Sequence, residues 1–272
     1  MIGNERLVVG VLVVGVLVAG VMATMGTGAA VAAPPSQAPV AGQGHISPQP
    51  PGPASSQPQG RFILVIDPGH PSEVSAGAKA NGLREVDINW EIGQALAAHL
   101  AGRSDLLVLV NRQEKMKMMT NRERAEFANR VGAHLTLRLH CDHAPGQSGF
   151  VIYYPDTQGT HAGKTGPSAA VIAGSRQAAL AVHRGMARRL AGLLPDGGIK
   201  TDRSTTVGAR HGGALIGSIW SEVPTITVEM LYLNNPRDAA FIRTAAGRQA
   251  MVEALAAGVL EAQNDLAGRP AR

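Results

Sequence analysis

Residues 61–272 predict an α/β domain: a single three-layer unit with a mostly parallel, twisted sheet between helices. Two observations carry that reading. Short apolar runs alternate along the chain with segments of helical periodicity, the pattern of successive strand–helix units. The runs are also continuously apolar rather than alternating, as in strands covered on both faces. Composition excludes rival classes. The chain has 272 residues and a net charge of +5 that is spread out rather than clustered. With two Trp, three Tyr and four Phe it has few platforms for stacking bases, so no nucleic-acid partner is expected. One cysteine excludes an intramolecular disulfide framework and a four-cysteine metal site.

The elements follow in order. Phe62–Ile66 is a continuous apolar run ended by Asp-Pro-Gly, a central strand. Val86, Ile88, Ile92, Leu96 and Leu100 recur at helical spacing, with Gly102 as the stop. Leu106–Val110 is the second strand. Thr120 and Glu123 form a capping box that opens a helix reaching about Val131. Leu135–Leu139 and Phe150–Tyr154 are the third and fourth strands, and Ser168 to Leu194 is a long helix. Thr225–Val228 is the last strand. Asn235-Pro236 then starts one final helix carrying Phe241, Ile242, Met251, Val252, Leu255 and Val259. Residues 155–167 and 195–213, rich in Gly, Thr and polar groups, are expected to be loops.

The first sixty residues stand apart. Leu7–Ala23 is almost wholly apolar, and Ala30-Val31-Ala32 has the small-x-small form of a cleavage site, so residues 1–33 read as a secretory signal peptide. The alternative is an uncleaved membrane anchor, which would be the chain's one membrane contact. Either places the domain outside the cytoplasm, in the periplasm, cell wall or extracellular space. Residues 34–60 hold eight prolines and no Asp, Glu, Lys or Arg, a composition that reads as a disordered, extended tether.

In an open α/β sheet, ligands bind beyond the carboxyl ends of the strands. Polar residues concentrate there: Asp67 and His70 after the first strand, Glu85 at the next helix start, His140, Cys141, Asp142 and His143 after the third strand, Glu229 after the last. One sheet edge therefore gathers two or three histidines and two carboxylates. Two imidazoles and one carboxylate make a common catalytic zinc set, and a second carboxylate can deprotonate a water. Each residue alone has a plainer explanation. His70 could lie in a surface turn, Glu85 could complement a helix dipole, and His140 could bond backbone. Glu229 is harder to dismiss, since an unpaired carboxylate is costly to bury. Cys141 reads as a small buried apolar residue, and His143 as a second choice of ligand. His99, His134, His161 and His183 read as surface or helix residues, and His211 could line a substrate loop.

Taken together, the blocks resemble the zinc-dependent N-acetylmuramoyl-L-alanine amidases of the Amidase_3 type. The resemblance rests on ILVIDPGH, on Gly82-Leu83-Arg84-Glu85, on Val110-Asn111-Arg112, and on Arg124 with Ala128-Asn129. It continues through His140 in LRLHCDH, Val223 to Met230, and Asn234 to Asp238. It implies Zn2+ held by His70, Glu85 and His140, with Glu229 as catalytic general base. The substrate implied is peptidoglycan, cut at the amide between N-acetylmuramic acid and the L-alanine of the stem peptide. The rivals are a zinc carboxypeptidase acting on the stem peptide and a non-catalytic wall-binding protein. Three departures from the family pattern shape the groove: Pro71-Ser72-Glu73 after the first histidine, Arg138 in the third segment, and Leu231-Tyr232-Leu233 after the last. Some members carry a helix that plugs the site until an activator binds. Residues 155–167 leave little room for one, so an open site with no obligate protein activator is expected.

Overall fold

The computed structural model describes residues 60–266. The predicted signal peptide or anchor, and the proline tether up to Gln59, lie outside the described residues. Among the described residues no helix is long and apolar enough to cross a membrane.

In chain order the elements are β1 (Phe62–Pro68), β2 (Lys79–Ala80), β3 (Leu83–Arg84), α1 (Glu85–Leu100), β4 (Leu106–Val110), α2 (Asn121–Arg130) and β5 (Leu135–Asp142). There follow β6 (Phe150–Tyr154), β7 (Gly159–His161), β8 (Lys164–Gly166), α3 (Ala169–Leu190) and β9 (Asp196–Thr201). A single 3-10 turn at Asp202–Ser204 leads to α4 (Thr206–Arg210), α5 (Ile216–Trp220), β10 (Thr225–Tyr232), α6 (Pro236–Arg243) and α7 (Ala245–Leu266). Six strands form one sheet in the order β4-β1-β5-β10-β6-β9. β4, β1, β5 and β10 run parallel, β6 is antiparallel to β10, and β9 runs with β6. The mostly parallel three-layer sheet is as the sequence predicts.

Strand alternation sorts the side chains. Leu64 and Ile66 of β1, Leu135, Leu137 and Leu139 of β5, and Ile226 and Val228 of β10 face one side. There they meet Ile88, Ile92 and Leu96 of α1, Val182 and Met186 of α3, and Leu255 and Val259 of α7 in one large core. The intervening Ile63 and Val65 face the other side, under Ala128 and Phe127 of α2. α3 and α7 cross so closely that a Cβ on Gly185 would sit 2.4 Å from the Gly258 amide nitrogen.

Four expectations are corrected. Residues 155–167 are not a plain loop: β7 and β8 form a hairpin packed on α5. Residues 195–213 contain the edge strand β9 as well as α4. The long helix stops at Leu190 rather than Leu194. The final helix is two, because Thr244 breaks it and its hydroxyl caps the second by accepting from the Gly247 amide. The strands also outrun their apolar cores: β5 continues to Asp142 and β10 to Tyr232, so His140 and Glu229 lie inside strands.

Candidate metal centre and its groove

His70 follows β1 directly and takes φ 59°, a left-handed backbone that a non-glycine residue seldom adopts. Its Nδ1 lies 3.0 Å from the Ser75 carbonyl, which can only accept. That bond puts the proton on Nδ1 and leaves Nε2 with a free lone pair. Nε2 lies 3.3 Å from Glu85 Oε1, and His140 Nδ1 lies 3.0 Å from the same oxygen. Ligand atoms of the three residues all fall within 4.8 Å of one another. His140 lies against Gly69, where a Cβ would come within 2.4 Å of its ring.

Glu85 is fixed from several directions. The β2–β3 hairpin turns on Asn81-Gly82, both at positive φ (48° and 69°), the geometry of a tight two-residue loop. The turn brings Ala78 back so that its amide donates to Glu85 Oε2 at 2.8 Å, while Cys141 N donates to Oε1 at 3.2 Å. Burial pushes the Glu85 carboxyl up, but the imidazoles of His140 and His70 crowded against it outweigh that and hold it well below the usual carboxylate range. Burial depresses the His140 imidazole, so it is neutral and a competent ligand at neutral pH. Cys141 points to the opposite face, buried in the large core, where burial pushes its thiol up.

Glu229 pairs with His140 across the parallel β5–β10 ladder, and Thr227 pairs with Arg138. Paired residues share a face, so Glu229 stands beside His140 on the α2 side. Its Oε2 is buried and has no hydrogen-bond partner among the described residues. Burial, then the negative charges of Glu85 and Asp142, raise its carboxyl well above the usual range. His70, His140 and Glu229 line one groove of about 590 Å³ over β5, β10 and β6, walled by Gln147 and residues 204–207 and floored in part by Arg138.

Residues quoted as motif matches acquire structural roles here. Arg124 donates to Asp67 Oδ1 (2.5 Å), Pro68 O (3.0 Å), Pro71 O (2.9 Å) and Met119 O (3.1 Å), pinning the turn that presents His70. Asn111 and Arg138 complete the shell of Asp67 at 2.7 and 3.2 Å. Burial raises the Asp67 carboxyl, but the two guanidinium groups and Asn111 reverse this and hold it far below normal. Asn129 ties α2 to the turn before β10 through Trp220 O and Glu222 N. Asn235 caps α6, and Asp238 takes bonds from Ser148, Gly149 and Tyr232. The asparagine–proline–acid block therefore supports the loop after His140.

The remaining histidines lie elsewhere. His143 is exposed on the groove rim and does not join the three-residue cluster. His99 is exposed on α1, His134 accepts from Ile63 N, and His183 bonds Asp196. His161 and His211 pack edge to face, with ring centroids 5.0 Å apart. His211 is not among the groove's lining residues. The clamp on Glu85 is not evident from apolar periodicity, and its one signal in the sequence is the Asn81-Gly82 hairpin turn.

The profile of the Amidase_3 family, described as N-acetylmuramoyl-L-alanine amidase, matches residues 64–261. The chain belongs to the Amidase_3 family. A curated relative, the endolysin of Bacillus phage SPP1, is 26% identical over 205 residues, which are 74% of this chain and 66% of the endolysin. This Amidase_3 chain thus spans about two thirds of that relative's length. The Mycobacterium smegmatis N-acetylmuramyl-L-alanine amidase Ami1 superposes with a TM-score of 0.62 at 20% identity, covering 75% of this chain and 97% of Ami1. The N-acetylmuramoyl-L-alanine amidase from Clostridium difficile 630 gives 0.60 at 21%, covering 74% and 96%. These structures share the Amidase_3 fold seen here.

Proposed function

We propose that this protein is a zinc-dependent N-acetylmuramoyl-L-alanine amidase, hydrolysing the amide between N-acetylmuramic acid and the L-alanine of the peptidoglycan stem. The observation that carries the reading is the convergence of His70, Glu85 and His140, with the unpartnered Glu229 oxygen one strand away. The donor set fits the ion. Two imidazoles and one carboxylate converge, Ser75 fixes one tautomer, and backbone amides hold the carboxylate. His70, Glu85 and His140 would hold zinc. When bound, the ion supplies the positive charge that acidifies an attacking water toward pKa ~7, polarises the scissile carbonyl and offsets the negative field of Glu85 on Glu229.

The chain's own residues do the rest. Glu229 lines the groove beside the three ligands and accepts the water's proton. It can then pass that proton to the departing L-alanine amine. The network of Asp67, Arg124 and Asn111 fixes the His70 turn, so the groove is set before substrate arrives. The β7–β8 hairpin docks on α5, and no residue of it lines the groove, which supports an open site working without an obligate activator. Residues 1–33 as an export signal and 34–60 as a tether agree with a substrate outside the cytoplasm.

Digestion of purified cell wall tests this. The expected product is intact stem peptide with a free L-alanine amino end, lost after exhaustive chelation and restored by zinc. Loss of a terminal D-alanine instead would establish the carboxypeptidase, and an inert, wall-bound protein would establish the binding reading.

A further inference from the structure

We propose that Arg138 is a specificity-determining residue that receives a carboxylate of the stem peptide, one peptide unit beyond the scissile amide. The inference rests on the amidase reading and names the feature of the substrate that this groove selects.

Arg138 is one of the departures from the family pattern, and the structure places it on the groove floor. It is 6% exposed and lines the groove. Two of its three nitrogens are used: Nε donates to Asp67 Oδ2 at 3.2 Å, and Nη2 to Asn121 Oδ1 at 2.6 Å. Nη1 has no hydrogen-bond partner among the described residues and is not sealed in the core. Gly217 of α5 lies beside that nitrogen, where a Cβ would come within 2.7 Å. Only a residue without a side chain fits at 217 with the guanidinium in this position.

Charge points the same way. Asp67 divides its two oxygens between Arg124 and Arg138, so one carboxylate serves two guanidinium groups. Every nitrogen of Arg124 is spent on Asp67 or on backbone carbonyls. Of these two, only Arg138 offers a free donor, with part of its charge uncompensated by any bonded carboxylate. A buried, oriented guanidinium with an open N–H is suited to a carboxylate ligand. Glu73 adds rigidity: it accepts from Asn121 N (2.8 Å) and Nδ2 (3.1 Å), and Asn121 in turn holds Arg138. Two departures from the family pattern, Glu73 and Arg138, are thus one connected unit.

Position fits as well. Arg138 and His140 share a face of β5 two residues apart, ~6.6 Å along the strand. In a stem whose second residue is a D-glutamate linked onward through its side-chain carboxyl, the α-carboxyl stays free. It lies two residues past the scissile carbonyl, at most ~7 Å away.

The test uses the full chain loaded with zinc and two muropeptides that differ only at this group, a free α-carboxylate or its carboxamide. KM for the carboxylate form should be at least about tenfold lower, as expected for one hydrogen bond to a charged group. Arg138→Gln should bring that ratio close to one, and Arg138→Lys should keep part of it. Gly217→Ala keeps the charge and displaces only the guanidinium, so it too should reduce the ratio. Calorimetric binding of the two released stem peptides should show the same order. Equal KM values and equal affinities in the unaltered protein overturn the proposal while leaving the amidase reading intact. Failure to cleave either muropeptide overturns both.

Discussion

The two faces of the sheet are built from the same six strands and do opposite jobs. On one face Leu64, Leu137, Ile152 and Val228 meet α1, α3 and α7 in a core of aliphatic side chains. On the other, the alternate positions carry Asp67, Arg138, His140, Thr227 and Glu229, and α2 and α5 leave a groove above them. The period-2 alternation of a strand lets one segment serve both: Leu137-Arg138-Leu139-His140-Cys141 reads core, groove, core, groove, core. Stability is drawn from the first face by apolar burial. The second face holds charges whose burial is tolerated because they are paired, as at Asp67, or is left uncompensated, as at Glu229, the proposed general base.

The largest test of that division is Glu229→Gln. It should lower turnover by ~10²–10⁴-fold while zinc content stays stoichiometric, since the residue is not among the three convergent donors. The thermal midpoint should hold or rise, because a buried carboxyl with no partner is removed. A variant that loses zinc together with activity would show that the groove face is held together by its catalytic groups.

Asp67→Asn comes next and probes the paired part of the same face. It strands Arg124 and Arg138 beside a neutral amide, at a cost of about 3–5 kcal/mol. The sign with pH is set by the depressed carboxyl. Its contribution is complete above the unfolded value of ~3.9 and is lost as pH falls through the folded value. Denaturant titrations should therefore separate the two proteins most at neutral pH and converge in acid. A constant difference at all pH would assign the effect to packing.

Asp202 is the opposite case, buried behind the groove wall. Its carboxyl accepts from Leu215 N at 3.0 Å, yet burial pushes it up to about 6. A raised carboxyl stabilises the fold fully below the unfolded value and loses that contribution as pH rises through about 6. Stability should decline between about pH 4 and 7 by on the order of 3 kcal/mol from this group. Asp202→Asn should flatten that decline, measured by the denaturant midpoint at each pH.

What the sequence disclosed follows the same division. The four parallel strands were legible because continuous apolar runs have few other uses, and the convergent histidines and carboxylates because they end those runs. β9 was not legible: DGGIKT is an edge strand with two glycines and a half-exposed surface. The β7–β8 hairpin was hidden for a different reason. GTHAGKTG has no large aliphatic side chain, and its turn places Ala162 at φ 47°, where Asn or Gly would have signalled it. Thr244 broke the last helix unseen, because the apolar spacing runs through it without interruption. At the site, Asp67, Arg124 and Asn111 could be matched as a pattern but not given roles. Their function depends on a contact 57 residues apart in the chain, which no local periodicity encodes.

The smallest effect expected lies on the apolar face and sharpens the contrast from that side. Gly185 of α3 faces Gly258 of α7, and a Cβ at 185 would meet backbone atoms at 2.4 and 2.5 Å rather than a movable side-chain end. Gly185→Ala improves helix propensity, which favours the variant by up to ~1 kcal/mol. Overpacking against fixed backbone opposes it by ~1–3 kcal/mol, so the net change should be a modest loss of stability. Because α3 and α7 touch only the apolar side of the sheet, kcat and KM of the folded enzyme should stay at their original values. A shift in kcat alongside the lower melting temperature would mean that strain on the α3–α7 layer is transmitted through β5 and β10 to His140 and Glu229, and the two faces would no longer count as independent.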